Sequence, residues 1–299
     1  MFKKFSFKIR INVICIVCIM LLIQFVLTYI LFFSIFTEDF KQKADELSSQ
    51  ISNHVTLRLQ HVEEAARLFC NENDIQNSLE TFDSTLLNKM SSLLAVTSDI
   101  RGCFIVGKER SYFYSSAYNR KFMQFFDYIA PQFDHTGKRG YWCIYSPPVA
   151  NGKSYLIYSY VIRDDNQVPV GVLSVDVSLE NLYTATEMFD TDLMKYTTVY
   201  ISSEPSGEKI FFRDENNASA LSGAESHHSK YHYSDSISMN TVSSVEYIQT
   251  KLRFVVFIMI TIFAGALLLL FIILYAYSRY LIKRMTDLTY KMNNFIDRE

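Results

Sequence analysis

Two runs without a charged side chain constrain this chain more than any other feature. Between Arg10 and Glu38 it reads INVICIVCIMLLIQFVLTYILFFSIFT, and between Arg253 and Arg279 it reads FVVFIMITIFAGALLLLFIILYAYS. Each run is roughly 25 residues, enough as a helix to cross a hydrocarbon layer of ~30 Å with every backbone group bonded internally. A core helix of a soluble protein would show polar residues about once per turn. Lys3, Lys4, Lys8 and Arg10 precede the first run as they would in a secretory signal. The run is too long for the apolar core of such a signal, however, and FTEDFKQKADEL offers no small-x-small cleavage site. The first run therefore reads as an uncleaved anchor.

The basic residues before the first run, with Arg279, Lys283 and Arg284 after the second, put both ends of the chain in the cytoplasm. Lys251 and Arg253, on the outer flank of the second run, oppose that bias. The expected layout is a cytoplasmic segment 1–10, a transmembrane helix 11–36, an outer domain 37–250, a second transmembrane helix 254–276 and a connector 278–299. With 24 Phe, 20 Tyr, 5 Pro and a net charge of -2, the chain is too apolar to be disordered and too balanced to bind nucleic acid. Cys15 and Cys18 fall inside the first run, where they read as small packing residues. Cys70, Cys103 and Cys143 lie outside it; three thiols close at most one bridge, so the domain is not built on disulfides.

Beyond the first run, Phe40, Ala44, Leu47, Ile51, Val55, Val62, Ala66 and Phe69 recur in steps of three and four with one gap, which predicts an amphipathic helix over 37–70 continuous with the membrane helix. That helix packs on its own domain, along a dimer seam, or both. A second helix is expected from Asp83 or Ser84, carrying Leu86, Leu87, Met90, Leu93 and Leu94. The period then changes. DIRGCFIVGKERSYFYSS reads strand, turn, strand, RKFMQFFDYIAPQF reads as a short helix, and YWCIYSPPV, SYLIYSYVIRD and VPVGVLSVDVS read as three more strands. The result is an α+β domain over 83–190 with about five antiparallel strands. Residues 191–250 read as a smaller sheet near the membrane: a hairpin turned at Pro205-Ser206-Gly207, a polar surface loop over ENNASALSGAESHHSKYH, and the segments YHYSDSISM and SVEYIQTKL returning to the membrane.

GVLSVDVSLENL resembles the closing strand and following helix of extracellular Cache domains, the PAS-like sensors held between two membrane helices of bacterial receptors, with Gly171, Asp176 and Leu179 in the matching places. YWCIYSPPVANGKSYLIYSYVI resembles the two strands before it. SRYLIKRMTDLTYKMNNF is similar to the first helix of a HAMP linker: Ser278, Arg279, Met285 and Leu288 match, and Arg284 stands where proline is usual. A HAMP-like start after a Cache-like domain resembles sensor histidine kinases of the YesM type. The resemblance implies a homodimer in the bacterial plasma membrane, an extracellular small molecule or binding protein as partner, no cofactor, and a response regulator reached only through a kinase domain. All six His residues precede the second run, and the 9 glycines form no nucleotide box, so the chain is expected to carry no kinase domain of its own.

In a PAS-like pocket, ligand contacts come from inward-facing strand residues and from the short helix with its loop. The candidates are Tyr112, Tyr114, Arg120, Trp142, Tyr145, Tyr158, Tyr160 and Asp176. Amino-acid-binding Cache domains grip the ligand with an Arg-x-Trp-Tyr element and a downstream Tyr and Asp. Tyr145 and Asp176 resemble that pair, while Arg120-Lys121-Phe122 is a partial stand-in for the upstream element. The aromatics also suit an ordinary core, Trp142 suits a core anchor or a pocket wall, and Asp176 suits a carboxylate serving backbone N–H groups before the next helix. His227, His228 and His232 read as solvated rather than metal-binding. No G-x-S-x-G or H-E-x-x-H occurs, so no hydrolase is indicated. Arg279, Met285 and Leu288 are the expected signal relay. The reading is a transmembrane receptor forming the sensor portion of a histidine kinase. The alternatives are the input module of a chemoreceptor or diguanylate cyclase, and a stand-alone membrane binding protein.

Overall fold

The computed structural model describes residues 2–71, 75, 78–79, 85–107, 112–114, 139–146, 154–186, 191–204, 206–212 and 226–296. They form two compact units, Met1–Phe40 with Tyr247–Glu299, and Lys41–Glu246.

In the first unit lie the apolar runs. Helix α1, Phe2–Cys70, is unbroken through the run and the segment after it, as the sequence predicts. The last helix, α5 below, spans Glu246–Ile296 and carries the second run. Their most apolar stretches have mean hydropathies of 2.7 and 3.0 and none of either is buried. Met20, Phe257 and Phe271 are about two-thirds exposed, so the apolar surface of both helices is uncovered. By length and composition both helices can cross a membrane. Phe25 meets Phe263 edge-on at 6.2 Å, and Phe40 stacks on Tyr247 at 6.1 Å.

The second unit is built on the rest of α1. Ala44, Leu47, Ile51, Val55, Val62, Ala66 and Phe69 are all buried, and the gap in their spacing is filled by Leu59, also buried. Helix α2, Thr85–Val96, leads to strands β1 (Ile100–Gly107), β2 (Tyr112–Tyr114), β3 (Gly140–Tyr145), β4 (Tyr155–Arg163) and β5 (Pro169–Val177). They make an antiparallel sheet in the order β2-β1-β5-β4-β3. The short helices α3 (Leu179–Thr186) and α4 (Thr191–Met194) pass the chain to β6 (Thr197–Ser203), β7 (Lys209–Phe211), β8 (Ser226–His232) and β9 (Ile237–Ser244). These form the smaller sheet, ordered β7-β6-β9-β8. Single-residue Val245 then separates β9 from α5.

Two expectations are corrected here. Ser226–His232 is an edge strand paired to β9 along its whole length, where the sequence suggests a loop. Its polar residues suit a strand with one open edge, where charge discourages pairing with another chain. The SVEYIQTKL segment is helical from Glu246, whose N–H is capped by the Ser244 hydroxyl at 3.1 Å. The short helix expected over RKFMQFFDYIAPQF lies outside the described residues.

α1 serves both sheets. Ser48 bonds Thr241 on β9, and Asp45 accepts from Ser229 on β8 at 3.0 Å and pairs with His227 at 2.7 Å. That histidine holds the Asp45 carboxyl below the usual carboxylate range. Toward the larger sheet, Arg58 pairs with Asp99 at 2.5 Å and Glu63 accepts from Trp142 Nε1 at 2.5 Å, while Tyr233 Oη, from the β8–β9 turn of the smaller sheet, also donates to Glu63 at 3.0 Å.

The larger sheet leaves no room for growth at the start of β3. A Cβ on Gly140 would lie 2.0 Å from Tyr158 Oη, and the Tyr158 ring is held against Trp142 at 4.9 Å. Gly140→Ala should therefore cost about 1–3 kcal/mol by overpacking. A lowered urea midpoint with an unchanged slope would show it; an unchanged midpoint would mean that Tyr158 simply moves.

Candidate functional site

Residues paired across an antiparallel sheet share a face, so the register assigns the sheet's two sides. One side carries Cys103, Ile105, Trp142, Tyr158, Tyr160 and Leu173, as the pairs Trp142↔Tyr158 and Tyr160↔Leu173 require. This side faces the helices: Trp142 bonds Glu63 of α1, and Cys103 Sγ lies 3.8 Å from the Met90 carbonyl of α2. The other side carries Phe104, Val106, Cys143, Tyr145, Ile157, Val161 and Val172, a single buried apolar cluster with Tyr155 packed on it. Asp176, opposite Ile157 and Gly102, belongs to this second side.

At the Asp176 end the side becomes polar. The Asp176 side chain is 1% exposed, and its Oδ2 receives both Nε and Nη2 of Arg101, at 2.7 and 2.6 Å. A carboxylate so far from water is stable only with a cation and donors beside it, and a side-on guanidinium supplies both. The same guanidinium lies over the Tyr155 ring at 4.9 Å. Tyr155 is in turn the register partner of Tyr145, whose hydroxyl burial makes harder to ionise. Arg101, Tyr145, Tyr155 and Asp176 thus converge at one end of the face. Deeper in, the Ser159 and Ser174 hydroxyls bond each other at 2.8 Å. Arg101 is 52% exposed, so this end combines an accessible cation, a buried anion and two aromatic rings, a set suited to a small polar molecule with an apolar part.

The expected site residues divide accordingly. Tyr145 and Asp176 are brought together. Trp142, Tyr158 and Tyr160 are placed on the helix side and cannot join them; there, burial and the Glu63 carboxylate push the Tyr158 hydroxyl well up. β2 pairs Tyr112 with Val106 and Tyr114 with Phe104 through the backbone, but their side chains are not among the described atoms. Arg120 lies outside the described residues. Helix α3 is capped by Ser178, whose Oγ accepts from the Asn181 N–H at 3.4 Å. Arg101 and Tyr155 went unnoticed in the sequence; alternation pairs Tyr155 with Tyr145, yet nothing local reveals that Arg101 reaches across a sheet bulge to Asp176. Arg279, Met285 and Leu288 lie on α5, which continues unbroken past the apolar run, and Met285 and Leu288 are more than half exposed. His227, His228 and His232 sit on β8, and no metal-holding cluster occurs among the described residues.

Three thiols, Cys70, Cys103 and Cys143, lie in or beside the two-sheet domain. Cys103 and Cys143 are buried on opposite sides of the sheet, each pushed up to about 12 by burial, and Cys70 is shifted the same way. Because the thiolate is the nucleophile, neither buried thiol, Cys103 nor Cys143, should react with iodoacetamide at pH 8 until the domain is unfolded in urea. Rapid labelling of Cys103 or Cys143 in the native protein would contradict the packing.

No family model matches the chain, and no curated protein does. Solved structures of similar outline are bacterial sensory domains. The sensory domain of the Campylobacter jejuni chemoreceptor Tlp3 (CcmL) with isoleucine bound has a TM-score of 0.48 at 11% identity, covering 73% of this chain and 97% of that one. The ligand-binding domain of the Pseudomonas aeruginosa PAO1 amino acid chemoreceptor PctB with L-Arg gives 0.47 at 14%, covering 70% and 97%. That of the Pseudomonas fluorescens chemoreceptor CtaA with L-isoleucine gives 0.47 at 10%, covering 73% and 98%. The likeness is one of outline and assigns no role to any residue here.

Proposed function

We propose that this chain is a transmembrane signal receptor, the sensory and membrane-spanning portion of a YesM-type two-component histidine kinase. It works as a homodimer with both ends in the cytoplasm. A small extracellular molecule is taken up on the sheet side that carries Arg101, Tyr145, Tyr155 and Asp176. The observation that carries this reading is continuity: the first apolar run and the buried seam from Ala44 to Phe69 are one helix, and only Val245 stands between β9 and the helix of the second run. A displacement in the outer domain therefore has no slack linker in which to be lost. The signal is a shift between two dimer packings, and the ligand must bind them with different affinity to move that balance. Past the membrane, Arg279, Met285 and Leu288 pass the displacement to the output.

The test joins residues 1–299 to a histidine kinase catalytic core and follows autophosphorylation in membrane vesicles on addition of culture-medium fractions to the outer side. The response should vanish when two glycines are inserted after Ser244, with the outer domain still folded. A response that survives the insertion would sink the mechanism, and one that survives deletion of residues 85–244 would sink the sensory reading itself.

A further inference from the structure

The two apolar helices pack side by side in opposite directions, with Phe25 against Phe263 at 6.2 Å and Phe40 against Tyr247 at 6.1 Å. Both are unbroken, from Phe2 to Cys70 and from Glu246 to Ile296, and every residue of either advances the axis by ~1.5 Å. The two ring contacts therefore fix which residues of α1 are level with which residues of α5. Lys8, Lys4 and Lys3 lie as far before Phe25 as Arg279, Lys283 and Arg284 lie after Phe263, to within one residue. Cation is thus set level with cation three times over, in a band of roughly 8 Å along the axes, with Arg10 just inside it. Ser278, next to Arg279, is 7% exposed between exposed neighbours, so α5 is still covered at this level, and α1 is the other helix of that compact unit.

No acid offsets the band from within. The first acidic residue of the chain is Glu38, and α5 has none between Glu246 and Asp287, which follows the band by one turn. Arg279, Lys283 and Arg284 are all exposed, and none of them is ion-paired among the described residues. Arg284 lies instead over the Tyr280 ring, 6.0 Å from its centroid. The other end of the runs differs, because there Lys41, Lys43, Lys251 and Arg253 are interleaved with Glu38, Asp39 and Glu246.

Like charges brought level by two packed helices repel each other, and beside hydrocarbon that repulsion is poorly screened. An anion shared between the helices relieves it. The band starts where both apolar runs stop, the depth at which phospholipid headgroups border the hydrocarbon layer. Tyr277 and Tyr280, 60% and 58% exposed, stand at the same depth and suit the same boundary.

We propose that this double collar binds anionic phospholipid headgroups, each phosphate shared between cations of α1 and α5. The proposal rests on the membrane-spanning part of the receptor reading and on none of its sensory part. The test has two stages, both on the full chain. Membranes are first extracted with alkaline carbonate. The protein purified in detergent is then examined by native mass spectrometry with equimolar phosphatidylglycerol and phosphatidylcholine of the same acyl chains. Release by carbonate would overturn the spanning reading and the collar with it, whereas resistance to carbonate without any lipid preference would overturn the collar alone.

Phosphatidylglycerol should be retained over phosphatidylcholine by about tenfold or more, since each cation at a charged lipid surface is worth roughly a five-fold change in partition. The triple variant Arg279→Gln, Lys283→Gln, Arg284→Gln should lose most of that preference. So should Lys3→Gln, Lys4→Gln, Lys8→Gln, because each set removes one half of every level. Lys251→Gln with Arg253→Gln, at the other end of the second run, should keep it. A loss in that control as large as in the triple variants would overturn the collar. Inorganic phosphate should displace the lipid no better than chloride at equal ionic strength; displacement by phosphate alone would overturn the lipid as occupant.

Discussion

Arg101→Ala should destabilise the two-sheet domain by about 2–4 kcal/mol, because the Asp176 carboxylate would remain buried without its guanidinium. The lower part of that range allows for water reaching the half-exposed Arg101 position. Arg101→Lys should recover little, since an ammonium cannot place two donors on Oδ2. Asp176→Asn should cost less than Arg101→Ala, because it removes the buried charge along with the pair. Urea unfolding orders the three variants. If Asp176→Asn proves as damaging as Arg101→Ala, the carboxylate serves something other than this pair. The ion pair also bears on ligand choice: an ammonium ligand must compete with Arg101 for Asp176, whereas an anionic group can approach Arg101 from its exposed side.

Glu63→Ala should cost a similar amount, about 2–3 kcal/mol, by leaving Trp142 Nε1 and Tyr233 Oη with no acceptor. These two donors come from the larger sheet and from the turn joining β8 and β9 of the smaller one, so Glu63 ties both to α1. Burial and the Glu63 charge together hold the Tyr233 hydroxyl strongly un-ionised. Trp142 is the only tryptophan, which makes its emission a direct report on the junction. Glu63→Ala should shift that emission to the red at urea concentrations where the domain remains folded, while Glu63→Gln, which keeps an acceptor, should shift it little. An unchanged spectrum in Glu63→Ala would mean that Trp142 is fixed by packing against Tyr158 alone.

The α1 seam and the strands of the larger sheet were legible in the sequence because each rests on a local pattern of side chains. The α1 seam follows from steps of three and four, and the five strands of the larger sheet from aromatic and β-branched runs broken at turns such as Asp164–Gln167. β8 was missed because SHHSKYH has no apolar face; its strand state is set by pairing with β9, a partner that single-sequence patterning does not include. The start of α5 was missed because a hydroxyl cap, not periodicity, marks it.

The site was legible only by halves. Tyr145 and Asp176 came from a resemblance and fall on one side of the sheet. Trp142, Tyr158 and Tyr160 share alternation with each other, yet alternation alone does not say which of the two sides meets the helices. That choice is made by Glu63 and Met90, far away in sequence, through contacts with Trp142 and Cys103. Arg101 could not be recognised as Asp176's partner because 75 residues separate them.

The most direct measurement is a thermal-shift screen of the full chain in detergent against amino acids, sugars, organic acids and peptides. At least one stabilising compound is expected whose effect is lost in Tyr145→Ala and in Asp176→Ala but kept in Tyr160→Phe, which alters only the helix side. A compound that protects all three variants as well as it protects the wild type would contradict it.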